Sequence, residues 1–317
     1  MGSHNGQIRE WSNKFMKWLL RIISSVVVLA IITLAVVLIP AHVQIRGVSP
    51  ALPSQKEMLS LRGVNGPTKV AYILTSSQQL ERGQISHISI VIEWASGQRF
   101  LIDAGMSEQQ AVSFAELLQK MDTAAGQATI YGTVAQLLGP NIKDVAGVGF
   151  SRLHIDHTQG IQNFCDQRGK GVVLLQTPSQ MDLHNFNTTE GAGLIASSCL
   201  TKTEFTSANS GNFYRSSQFP GLAAIELGGH TPGSTLWAVA LGDKVLLLSG
   251  DITNDKTSID HNIPKQALYS YLFVPENTKR TAELRQWLRG LDQSEPFSVI
   301  VSHDLANTQA NLSEFKQ

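Results

Sequence analysis

Residues Ile22 to Ala41 form an uncharged, almost wholly apolar run of 20 residues, interrupted only by Ser24, Ser25 and Thr33. A helix of about 20 apolar residues matches a hydrocarbon core about 30 Å thick, and only closed backbone hydrogen bonding is tolerated there. The run therefore reads as one membrane-spanning helix. Arg9, Lys14, Lys17 and Arg21 precede it against the single acid Glu10, so the positive-inside rule leaves residues 1–21 cytoplasmic and carries the rest across. Trp18 stands where an interfacial aromatic anchors a span. Ile39-Pro40-Ala41 also loosely fits a cleavage site, which leaves a removable signal peptide as the competing reading. The apolar run exceeds the 7–15 residues usual for a signal core, which favours a retained anchor over residues 22–41.

Beyond the span, residues 42–67 carry Pro53, Pro67, Gly63 and Gly66, punctuation suited to a tether. Residues 68–317 are long enough, and at 42% apolar content for the chain rich enough, for a sizeable core. Lys+Arg and Asp+Glu number 25 each, so no basic surplus favours a nucleic acid partner. The two cysteines, Cys165 and Cys199, form no Cys-x-x-Cys pair, which disfavours a cysteine zinc site. On the translocated side they could be bridged or remain buried thiols.

From Lys69 onward, short apolar runs read as strands: Val70 to Leu74, Ile85 to Trp94, Phe100 to Ile102, Val145 to Phe150 and Val172 to Leu175. Ala223 to Leu227, Thr235 to Ala240, Val245 to Leu248 and Val299 to Val301 continue the series. Helical spacing marks Ser107 to Met121, with Ser107 as N-cap, a shorter helix at Thr133 to Leu138, and another at Thr281 to Leu288. Gln180 to Phe219 is polar and weakly periodic, and reads either as a substrate-covering insert or as a surface excursion.

Potential metal ligands recur just after these strands. In order they are Asp103, then His154, Asp156 and His157 in Ser151-Arg152-Leu153-His154-Ile155-Asp156-His157, then His230, Asp251 and His303. Imidazoles and carboxylates on loops at strand ends can converge on one cation without disturbing the sheets. Singly each has an ordinary explanation, but the ordered set does not. His42, His87, His184 and His261 lie outside it and read as solvated or structural, while Tyr269 and Tyr271 read as packing residues that could reach a substrate oxyanion.

This order of local words resembles the metallo-β-lactamase superfamily, whose metal motif is His-x-His-x-Asp-His followed by a distant His, a bridging Asp and a last His. The resemblance implies an α/β fold of αββα sandwich type over residues 68–317, with metal at one edge of the sheets. It implies that His154 and His230 serve a first metal, that Asp156, His157 and His303 serve a second, and that Asp251 bridges. Asp103 would brace the metal loop. The implied activity is hydrolysis of a small-molecule ester, lactone or amide by a water activated on zinc, lactonase-like or β-lactamase-like, on the extracytoplasmic and periplasmic side. The first His of the motif is Arg152 here, and a guanidinium has no lone pair for a cation. One zinc is therefore favoured over two, with Asp156 and Arg152 as catalytic residues. Arg152 would hold a substrate anion or pair with a structural acid. The alternative is a binding module that kept the fold and lost turnover through Arg152.

Overall fold

In a computed structural model, residues 3–63, 65–209 and 212–317 are described. The chain divides into two compact units, Met1–Val43 and Gln44–Gln317. Met1 and Gly2, the start of the basic leader, lie outside the described residues. Helix α1 runs over Ser3–Arg46. Its stretch Lys14–Arg46, within which an 18-residue window reaches a mean hydropathy of 3.1, is long and apolar enough to cross a membrane. The helix passes through Pro40 rather than stopping there. Proline removes one backbone donor and crowds the preceding turn, yet the helix continues beyond it to Arg46.

The second unit opens with the short helix α2 (Gln55–Leu59), whose first turn is closed by a capping box between Ser54 and Glu57. Met58 and Leu61 from this segment sit in the hydrophobic core, so residues read as tether are partly core. Fourteen strands follow among the described residues. They are β1 (Pro67–Leu80), β2 (Gly83–Trp94), β3 (Arg99–Ile102), β4 (Ala128–Ile130), β5 (Val145–Gly149), β6 (Val172–Leu175) and β7 (Leu200–Lys202). Then come β8 (Ser207–Asn209), β9 (Phe213–Arg215), β10 (Leu222–Glu226), β11 (Thr235–Leu241), β12 (Lys244–Leu248), β13 (Phe297–Ile300) and β14 (Ser313–Glu314).

These strands make two sheets, ordered β14-β1-β2-β3-β5-β6-β7 with β4 beside β1, and β13-β12-β11-β10-β9-β8. Helices interleave: α3 (Glu108–Met121), α4 (Val134–Leu138), α5 (Ile155–Thr158), α6 (Ile161–Arg168), α7 (Pro178–Asp182) and α8 (Thr189–Ala196). They are followed by α9 (Lys256–Asp260), α10 (Thr278–Asp292) and α11 (Leu305–Asn311). Ser107 accepts from the Gln110 amide as the N-cap of α3, as its position predicts.

Side-chain alternation decides the layering. Ile88, Ile90 and Ile92 share one buried cluster with Trp237, Val239 and Leu246, the filling between the two sheets. Leu236, Ala238 and Ala240 point the other way, into a cluster with Leu284 and Leu288 of α10. On the far side, Val91, Leu101 and Val148 pack with Val134, Leu138, Ile161 and Phe164 of α4 and α6. The result is an αββα sandwich in which both faces of each sheet are covered. Gly147 and Gly149 in β5 admit the rings of Phe100, Phe219 and Trp237 into the inter-sheet layer, where any added methyl would overlap them.

The polar stretch Gln180 to Phe219 is scaffold in part, since β7 extends the first sheet while β8 and β9 extend the second. Gln180 is fully buried, its amide donating to the carbonyls of Phe150 and Gly233. Cys165 of α6 and Cys199 after α8 form a disulfide across a separation of 34 residues. Chain-entropy arguments make such a link worth about 2–4 kcal/mol. Cys165→Ser/Cys199→Ser should lower the unfolding free energy of the full chain in detergent by that amount in urea titrations. An unchanged midpoint would mean that the thiols are not bridged.

Candidate metal centre

Strands β3 and β5 run parallel, as do β12 and β13, so their C-terminal ends, and the loops that follow, open on a common edge within each sheet. After β3, Asp103 adopts a left-handed φ of 63°, a conformation that Asp tolerates better than branched residues. Its Oδ1 accepts from the Ser151 amide at 2.8 Å and its Oδ2 from the Ser151 hydroxyl at 2.7 Å. The same Oδ2 lies 2.7 Å from His157 Nδ1. Asp103 thus fixes the His157 ring with Nδ1 as the donor, which leaves Nε2 available as a ligand.

His154 is the N-cap residue of α5, and Asp156 and His157 occupy its single turn. Backbone bonds lock that turn to the end of β3: Ala104 N donates to the His157 carbonyl at 2.7 Å, and Gly160 N to the Gly105 carbonyl at 2.8 Å. Gly160 could be no other residue, because an added Cβ would run into the Ala104 carbonyl. From the second sheet, Asp251 follows β12 in a short 3-10 turn, and His303 follows β13. His303 Nδ1 donates to the Ser86 carbonyl at 2.8 Å, and its Nε2 lies 2.9 Å from Asp251 Oδ2.

Asp156, His157, Asp251 and His303 are all buried, and one ligand atom from each lies within 4.8 Å of the others. Two imidazoles and two carboxylates suit zinc. His157 Nε2 is buried without a hydrogen-bond partner, as a group awaiting a cation would be. Formal charge points the same way, since the Arg152 guanidinium is ion-paired with two carboxylates, Asp156 and Asp251, and cancels only one of their two negative charges. These residues fit one metal.

The second cation position differs. His154 and His230 stand edge to face with ring centroids 5.0 Å apart, each with Nε2 buried and unpartnered. The third side chain there is Arg152. Its terminal nitrogens are spent on acids: one donates to Asp156 Oδ2 at 2.5 Å, and the other is ion-paired with Asp251 Oδ1. The guanidinium spans the carboxylates of both sheets, and Nε, which takes part in neither pair, is buried without an acceptor. A substrate carboxylate held bidentately by Arg152 would have to displace these pairs, so the expected clamp is replaced by a structural one.

Charge states follow the burial. Desolvation, reinforced by Arg152, pushes His154 well below its usual value and His303 down to about 3. Desolvation and the neighbouring Lys265 do the same to His230. These three imidazoles are neutral, the form in which a metal is bound. Burial opposes ionisation of Asp156, yet Arg152 and His157 hold its carboxyl well below the carboxylate range. Burial and Arg152 depress His157, but Asp103 and Asp156 outweigh them and raise it.

Two supporting residues carry no motif. Glu276 accepts from His230 Nδ1 and from the Ser270 hydroxyl at 2.6 Å, which turns His230 Nε2 inward. Lys265 donates to the Asp251 carbonyl at 2.8 Å and stands 3.5 Å from Glu276; burial lowers it to about 8 despite that partner. Glu276 is the only acid between Asp260 and Glu283, the single sequence signal that could have marked it. Tyr269 is half-buried, and desolvation raises its hydroxyl, whereas Tyr271 is exposed. His87 lies outside the ligand set, with Nδ1 bonded to the Ser76 hydroxyl at 2.9 Å and its ring against His303. His184 is tied to the Met181 carbonyl.

The sequence signature described as metallo-beta-lactamase superfamily matches residues 83–302. No curated protein matches the chain. Among solved structures, an N-acyl homoserine lactone hydrolase with the product N-hexanoyl-L-homoserine at its catalytic metal centre superposes with a TM-score of 0.56. It is 15% identical, over 78% of this chain and 98% of that one. A B. thuringiensis protein with N-decanoyl-L-homoserine bound at its active site gives 0.56 at 16% identity, over 78% and 98%. A dizinc quorum-quenching lactonase gives 0.50 at 13% identity, over 76% and 89%. At such identities the likeness is one of fold.

Removing one member of a buried ion pair costs about 3–5 kcal/mol, because the remaining charge is stranded. Arg152→Ala should destabilise the metal-free chain by that amount in urea unfolding, and added zinc should recover part of it. Equal stability of the variant and the parent without metal would show that Arg152 does not hold the two carboxylates.

Proposed function

The chain belongs to the metallo-beta-lactamase superfamily, and from that premise we propose that it is a membrane-anchored hydrolase using one zinc to open a small ester, lactone or amide. The observation that carries this is the buried set Asp156, His157, Asp251 and His303, whose donors close on one point. These four residues would hold the metal, which when bound makes hydroxide available from water near neutral pH.

The protein's own groups supply the rest. Asp156 Oδ1, the oxygen not paired with Arg152, orients the attacking water. Arg152 keeps Asp156 ionised and offers Nε–H, which is buried without an acceptor, to the developing oxyanion. His154 and His230, neutral and with free Nε2 atoms, face the same space and would contact substrate or hold a second, weaker cation. Asp103 and Glu276 hold His157 and His230 in the tautomers this requires. Residues 1–21 are assigned to the cytoplasm, 22–41 to the span and 68–317 to the extracytoplasmic catalytic domain. The Cys165–Cys199 bridge supports an oxidising compartment such as the periplasm.

A second reading draws on Arg152 itself. Its ion pairs with two of the four ligand residues favour a module that binds metal or ligand without turnover. Full-length protein in detergent should contain about one zinc per chain and should hydrolyse at least one class among chromogenic esters, lactones and cephalosporins, with loss on chelation. Metal without turnover across that panel would select the binding module. Arg152→His restores a third imidazole and should raise the zinc content towards two per chain; an unchanged content would contradict a single-metal site.

A further inference from the structure

Chain continuity fixes the depth of one residue near the membrane. Gln44 lies on α1 three residues beyond Ala41, about 4.5 Å further along a helix that rises 1.5 Å per residue. The polar layer of a bilayer adds about 5–8 Å on each side of the hydrocarbon. If residues 22–41 span, Gln44 lies at headgroup depth.

Within the unit Gln44–Gln317, the Gln44 side-chain amide donates to the His184 carbonyl at 3.1 Å. The loop after α7 is thereby tied to that depth. Phe186 is two residues on, within about 7 Å of extended chain, and is 43% exposed. Asn187 in turn donates to the Phe273 carbonyl at 2.6 Å, which joins this loop to the π-helical turn Tyr269–Phe273. Leu268 and Phe273, five residues apart and so one π turn, are 64% and 47% exposed. Ile263 and Tyr271 of the same segment are also exposed. Large apolar side chains scattered singly over a surface are ordinary, but a group on two bonded loops is not.

We propose that the Phe186 loop and the Leu268–Phe273 turn form a rim that rests in the lipid interface, with Phe186, Leu268 and Phe273 in the boundary between headgroups and acyl chains. Aromatic and apolar residues at that boundary gain from burying their bodies while the loop backbone stays solvated. The rim rests on the reading of residues 22–41 as a span. It also borders the candidate metal centre, because Lys265 and Tyr269 of the same segment lie against Asp251, Glu276 and one another.

Nitroxide labelling tests this on the full chain, whose two native cysteines are already bridged. Phe186→Cys, Phe273→Cys, Leu29→Cys and Lys120→Cys are each labelled and placed in nanodiscs of phosphatidylcholine and phosphatidylglycerol. Collision with oxygen is then compared with collision with a water-soluble nickel chelate. Labels at 186 and 273 should favour oxygen, less strongly than 29, while 120 favours the chelate. Chelate-favoured labels at 186 and 273 with 29 still favouring oxygen would overturn the rim and leave the span standing. Labels at 29 also favouring the chelate would remove the span and the rim with it. Protection at 186 and 273 from both reagents, with spin–spin broadening between chains, would assign the surface to a second copy of the protein and also overturn it.

Discussion

Asp156 and Asp251 come from opposite halves of the sandwich and meet at one guanidinium. Arg152, itself 4% exposed, ion-pairs with both. Without it, two carboxylates would face each other in a medium where unpaired charge is expensive. The pairing is thus a structural clasp between the loop after β5 and the turn after β12, as well as an electrostatic feature of the site. Much else is arranged around it: Asp103 holds Ser151 and His157 on one side, and His303 approaches Asp251 Oδ2 from the other.

This clasp also sets what the site can bind. A guanidinium supplies one positive charge where a divalent ion would supply two, and it does so permanently and without ligand exchange. The negative charge that Arg152 leaves uncancelled on Asp156 and Asp251 is what we propose draws a metal to Asp156, His157, Asp251 and His303. His154 and His230 are left as a neutral imidazole pair with inward Nε2 atoms, held by α5 and by Glu276.

Much of the centre was legible because its residues directly follow apolar strands. The word His154-Ile155-Asp156-His157 packs three donors into one helical turn, and Asp103, His230, Asp251 and His303 each mark the end of a buried run. The alternation at Ile88, Ile90 and Ile92 marks a strand, and folding shows that this face meets the second sheet. Glu276 and Lys265 were not legible, since they sit on a segment without period or motif and act through a ring reached only by folding. The fate of Arg152 was equally hidden. Its identity excludes it as a ligand, but only the approach of β12 shows that its terminal nitrogens are taken by Asp251 as well as Asp156. Cys165 and Cys199 share no motif, and their pairing depends on α8 folding back toward α6.

One resident guanidinium and one exchangeable cation are what we propose for this site, and solved structures that share the fold include a dizinc lactonase. Anomalous diffraction at the zinc edge, on crystals grown with excess zinc, tests this directly. It should show a single peak among Asp156, His157, Asp251 and His303, with Arg152 still bridging the two acids. A second peak between His154 and His230, with Arg152 swung away from Asp251, would contradict it.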